Sequence, residues 1–97
     1  MIDTSKIHLG FLKISGANRK LLPSHISLFT AMVICCQMQG SIQPFRVCRN
    51  ELMKLSAIRS YNTYHNCIKE LVRQGYIDYL PSYSTIIASR VSFKLGP

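Results

Sequence analysis

Apolar residues recur at three- and four-residue steps in several stretches of this chain and alternate with polar ones near its end. The clearest stripe is Tyr64, Cys67, Ile68, Leu71 and Val72, spaced i, i+3, i+4, i+7, i+8 as in a helix packed on a core. It predicts a helix over 60–74, with Ser60 as its N-cap and Gly75 just past its end, where a left-handed backbone favours glycine. Upstream, Ile26, Phe29, Met32, Val33 and Cys36 form a second stripe. Leu28, Ala31 and Cys35 widen it, so this helix is expected to be buried on more than one side. Ser24, after Pro23, is its expected cap and Gly40 its expected end. Between the two, Arg49 to Ile58 reads as a short helix with Leu52, Leu55 and Met53 turned inward. Glu51 stands three residues after Cys48, the spacing of a capping box; a thiol is a poor acceptor, so Asn50 is the alternative cap.

A period of two takes over after Gly75. "YIDYL" reads as a strand, and "RVSFKL" alternates Val91, Phe93 and Leu95 on one face with Arg90, Ser92 and Lys94 on the other. About eight residues join them, which suits a hairpin with a long tip. Ile42 to Val47 is a short extended piece, and Pro44 confines it to a sheet edge or a single bridge. The N-terminal residues are the least patterned. Ile7, Phe11 and Ile14 allow one or two helical turns before Gly16 and Asn18 interrupt them. Residues 1–20 are therefore expected to be an N-terminal arm or short helix, and 21–97 a single domain.

Helix, short strand, helix, tight turn, helix, strand, loop, strand is the order of a helix-turn-helix followed by a β-hairpin wing. The expected fold class is α+β, mainly α: a winged helix-turn-helix with a three-helix core and a C-terminal β-hairpin. In such a unit the second helix of the pair lies in the major groove of DNA, with its N-terminal residues at base edges. The positions that the apolar stripe leaves over on 60–74 are Tyr61, Asn62, Thr63, His65, Asn66 and Lys69. Asn pairs bidentately with adenine, Thr offers a hydroxyl and a methyl, and Lys reaches guanine or phosphate. The free amides at the start of the helix suit a phosphate oxygen. Tyr64 falls in the stripe and so in the core, whereas Tyr61 precedes it and suits either place. His65 reads equally as a solvated histidine or a DNA contact.

Charge points the same way. Twelve Lys and Arg face four Asp and Glu, a formal +8 in 97 residues, which implies a polyanionic partner. The expected DNA-binding set is Arg49, Arg59, Ser60, Tyr61, Asn62, Thr63, His65, Asn66, Lys69, Arg90 and Lys94, with Ser82, Tyr83, Ser84 and Thr85 at the hairpin tip near an adjacent backbone or minor groove. Arg46, Lys54 and Arg73 surround the same unit.

Other chemistries find little support. There is no paired carboxylate, no nucleophile with a base at a useful spacing and no glycine-rich phosphate loop, so no enzyme and no cofactor are expected. Cys35, Cys36, Cys48 and Cys67 show no C-x-x-C spacing, and His8, His25 and His65 supply no matching ligands, so no metal is expected. No Asp, Glu, Lys or Arg occurs from Leu21 to Phe45, but the dense apolar part is only Leu28 to Cys36. A spanning helix needs about 20 mostly apolar residues, so no membrane association is expected. Met1 to Ile14 holds no continuous apolar segment like that of a secretory leader, and the expected state is a cytoplasmic protein with reduced thiols.

At "RNELMKLSAIRSYNTYHNCIKELVRQGYIDYLPSY" the chain resembles winged-helix proteins encoded on bacterial mobile elements such as conjugative transposons and plasmids. "HISLF" and "SRVSF" resemble that family's first helix and last wing strand, so the likeness runs from Leu22 to Leu95, and "TYHNCIKEL" followed by "GYIDYLPSY" is its most specific part. The resemblance implies the winged fold and binding of double-stranded DNA in element regulation, excision or replication. It places Ser60, Tyr61, Thr63, His65 and Lys69 on the recognition helix. The chain departs from the family in having Cys48 where a capping serine is expected and "STIIAS" where the wing tip would hold Pro and Gly. The expected role is a transcription regulator or an accessory factor in excision or recombination. The alternative is a winged-helix protein-interaction module in a replication or conjugation complex; an RNA-binding wing ranks below both. A homodimer reading two half-sites is a further expectation, with the N-terminal segment as its contact.

Overall fold

The structure is a computed structural model that describes residues 2–17, 21–82 and 88–94. These fold as an α+β, mainly helical unit of four helices and one small antiparallel sheet. The helices are α1 (Thr4–Ala17), α2 (Pro23–Met38), α3 (Arg49–Ser56) and α4 (Tyr61–Arg73). The strands are β1 (Phe45–Val47), β2 (Ile77–Leu80) and β3 (Ser89–Phe93), in the order β1-β3-β2.

Helix α2 is the centre of the molecule, touching α1, α3, α4 and β1. Its wide apolar stripe is buried as expected, from Leu28 to Cys36. An aromatic chain ties the elements to it. Phe11 of α1 stacks on Phe29 with ring centroids 3.8 Å apart. Phe11 also meets Tyr76 edge-on at 5.2 Å, and Phe93 lies 5.1 Å from both Phe29 and Phe45.

The N-terminal segment differs from the expected arm or one or two turns. It holds a 14-residue helix in which Asp3 Oδ1 accepts the Lys6 N–H (3.1 Å) and Phe11 is fully buried, so α1 adds a fourth helix to the expected three. Helix continues through Gly16 to Ala17. Ser24 does not cap α2. The cap is Leu22, whose N–H is accepted by His25 Nδ1 at 3.0 Å, the reciprocal half of a capping box.

Two expected core residues lie outside. Leu55 is 42 % exposed, because α3 turns Leu52 and Ser56 inward, four residues apart, rather than Leu52 and Leu55. Ser56 earns this place by size and hydrogen bonding: its hydroxyl donates to the Leu52 carbonyl, and Ser27 of α2 donates to the Ser56 carbonyl at 2.5 Å. Val72 is 41 % exposed at the margin of the α4 stripe. Neither Cys48 nor Asn50 gives α3 a side-chain cap: Cys48 holds the cap position without such a bond, and Asn50 lies inside the helix.

Helices α2, α3 and α4 end alike. In each, a residue two or three past the helix bonds back by its N–H to the carbonyl five before it: Ser41 to Cys36, Ile58 to Met53 and Tyr76 to Leu71. The left-handed residue in between is Gly40, Ala57 and Gly75, with φ of 85°, 60° and 81°. Ala57 thereby makes the tight turn from α3 into α4 without a glycine. Pro44 precedes β1, and β1 is an edge strand, in keeping with the sequence. Leu95 lies outside the described residues.

Candidate nucleic-acid interface

Helix α4 has one face in the core and one in solvent. Tyr64, Cys67, Ile68 and Leu71 are buried. Burial of Tyr64 pushes its phenol well above the usual tyrosine range, so it stays neutral inside. Tyr61, Asn62, Thr63, His65, Asn66 and Lys69 are all exposed, Tyr61 at 55 %. Ser60 caps the helix as expected, its Oγ accepting the Thr63 N–H at a long 3.4 Å. One capped amide leaves other N–H groups of the first turn pointing outward beside these side chains.

The turn brings a cation to this surface. Arg49 opens α3 and Tyr61 opens α4, and the Arg49 guanidinium lies over the Tyr61 ring, 4.4 Å from its centroid. Stacking holds the guanidinium in place while leaving its edge free to donate hydrogen bonds. Arg59 is exposed in the same turn. The ring of His65 lies edge-on to Tyr64 at 5.4 Å, so His65 is outside the core but anchored against it.

Arg90 and Lys94 stand elsewhere, along the strand that joins β1 to β2. Both are exposed. They share no described hydrogen bond or ring contact with α4. Lys94 is paired with Asp78 of β2 at 3.4 Å, while Arg73 of α4 is paired with Glu70 at 2.8 Å and holds that carboxyl below its usual range. The base of the hairpin is fixed by Ser89, whose Oγ accepts from the Tyr79 hydroxyl (3.2 Å) and the Ser82 N–H (3.1 Å). Of the expected tip residues, Tyr83, Ser84 and Thr85 lie outside the described residues.

One cation was not among the expected site residues. Arg46 is the register partner of Arg90 across β1 and β3, and it is exposed between buried Phe45 and Val47. The alternation around it was visible in the sequence, but the partner was not, because register is set by pairing between distant segments.

Among the described residues, no three His, Cys, Asp or Glu side chains group as a metal site would require. No described helix is long and apolar enough to cross a membrane. Compared with protein-family models, curated proteins and solved structures, the chain matches none.

Proposed function

We propose that this chain is a winged helix-turn-helix protein that binds double-stranded DNA, with α3 and α4 as the helix pair, α4 in the major groove and the β2–β3 hairpin flanking it as a wing. The observation that carries this reading is the division of α4. Its apolar stripe is spent on the core, and its opposite face leaves Tyr61, Asn62, Thr63, His65, Asn66 and Lys69 in solvent, with Arg49 held over Tyr61 at its start. Amide and hydroxyl groups on a grooved-in helix read base edges, and flanking arginines take phosphates. The biological role proposed is that of a transcription regulator or an accessory factor in mobile-element excision or recombination.

A duplex-binding titration against salt tests it. With about five phosphates neutralised, log affinity falls against log salt with a slope of about −4 to −5. Lys69→Ala with Arg90→Ala weakens binding and flattens that slope while circular dichroism stays native-like and the melting midpoint does not fall. Absence of binding to any duplex at low salt sinks the reading and favours the second one, a protein-interaction module in a replication or conjugation complex. That alternative draws on Leu9 (54 % exposed) and Leu12 (40 % exposed), three residues apart on the outer side of α1.

A further inference from the structure

Like charges set directly opposite each other in an antiparallel sheet repel, and a fold with free choice avoids them. Here Arg46 of β1 and Arg90 of β3 are register partners. Paired residues project to the same face of a sheet, and both are exposed, opposite the face that buries Phe45, Val47, Val91 and Phe93. Their Cβ atoms are therefore about 5 Å apart, and the two guanidinium groups have no described carboxylate to share. The four acidic side chains of the chain are all accounted for. Glu70 binds Arg73, Asp78 binds Lys94, and Asp3 accepts from the start of α1. Glu51 lines the same open groove as Arg46 but makes no ion pair with it.

The strand under Arg46 is also fixed. Gln39, just past α2, accepts the Arg46 N–H through Oε1 at 2.9 Å and donates through Nε2 to the Arg46 carbonyl at 2.7 Å. The side chain of Gln39 thus pairs with β1 as a further strand would, on its open edge. A repulsive pair on a rigid backbone is a cost to the free protein that a bound anion removes.

We infer that Arg46 and Arg90 form a phosphate-binding clamp on the solvent face of the sheet, and that it takes the phosphodiester backbone of the duplex beside the groove that α4 enters. This rests on the DNA-binding reading and adds to it a site with its own signature. The location suits the task. Arg46 precedes Arg49 by three residues, at most about 11 Å of chain, and Arg49 reaches the first turn of α4. The opposite end of the same face is neutralised by the Lys94–Asp78 pair, so the free positive charge is concentrated at the Arg46–Arg90 end.

The signature is an opposition of signs. A structural arginine, when replaced, lowers stability; a clamp built for an absent anion, when replaced, raises it. Arg46→Gln and Arg90→Gln, singly and together, are compared with Lys6→Gln/Lys13→Gln, which removes the same charge from α1. In low salt the Arg46→Gln variant melts higher than wild type by about 1 to 6 °C, and higher than a single Lys6→Gln variant that lowers the net charge equally. Millimolar inorganic phosphate raises the wild-type midpoint and leaves that of the double arginine variant unmoved. The double variant binds matched and unmatched duplexes more weakly by a similar factor, with a salt slope shallower by about 2, one for each lost contact. The α1 variant keeps the wild-type slope. If wild type binds duplex but the arginine variants match the α1 variant in slope, or melt lower than wild type, the clamp is wrong while the DNA-binding reading stands. If wild type binds no duplex, both fall, and a phosphate-dependent rise in melting would then mark a small-anion site instead.

Discussion

His25 is buried, one turn into α2, and its Nδ1 accepts the Leu22 N–H at 3.0 Å. Only an unprotonated Nδ1 can accept that bond. Burial holds its imidazole below the usual value of 6.5, and the Glu70 carboxylate, which pulls the other way, is the smaller influence. The unfolded chain, with an ordinary imidazole, therefore takes up a proton as pH falls through about 6.5 while the folded chain resists it. Stability is full above that pH, declines below it, and levels off once the folded imidazole also becomes protonated. Urea midpoints measured from pH 7.5 to pH 5 should fall in wild type across this window, and His25→Gln should show a shallower fall; equal slopes would mean that His25 does not carry the effect. The buried thiols are quieter. Burial is the main cause that pushes Cys35 up to about 11, and it raises Cys36 as well, so both are packing groups and remain protonated thiols at neutral pH.

At the scale of elements, helices α2 and α4 and the C-terminal strands were legible because each carried one dominant period. The α4 stripe ended at Gly75, and Val91 and Phe93 alternated with Arg90 and Ser92. The outward face of α4 followed as the complement of its stripe, which is why that half of the candidate site was readable. What was not readable needed a partner. In this segment Leu9, Leu12 and Ile14 face solvent and Gly16 and Asn18 look like breakers, so Ile7, Phe11 and Ile14 suggested only one or two turns until the ring of Phe29 supplied the counterpart of Phe11. The turn at Ala57 had no glycine to announce it, and the opposition of Arg46 to Arg90 depends on register. Phe11 is the fully buried centre of the α1–α2 contact, which the Thr4–Gln37 and His8–Thr30 hydrogen bonds flank, and that makes a direct prediction. Phe11→Ala should cost about 3 to 5 kcal/mol, a large part of the stability of a domain this size, and the loss should appear as one shifted transition. A loss below about 1 kcal/mol, within the range of an ordinary surface change, would mean that α1 is loosely attached.

The whole molecule concentrates a formal +8 within a radius of gyration of 12.4 Å and a longest extent of 38 Å. At about 0.01 M salt the screening length is about 30 Å, so nearly every charge feels every other; at 0.15 M it is about 8 Å, and only neighbours interact. The described ion pairs, Arg73–Glu70 and Lys94–Asp78, are exposed and contribute little against this excess. Self-repulsion therefore works against the folded state, more strongly than in the expanded chain, and salt should relieve it. The melting midpoint is expected to rise by about 2 to 6 °C between 0.01 and 0.3 M sodium chloride, equivalent to about 0.4 to 1.2 kcal/mol in a domain of this length. The duplex binding proposed for this chain is expected to move the other way, because the same charges would release counterions on meeting phosphate. A single salt series read by both melting and duplex binding then gives two slopes of opposite sign from one charge distribution. A midpoint that falls with salt would mean that local attraction outweighs the net charge, and it would remove the physical reason for expecting a polyanion to dock on this surface at all.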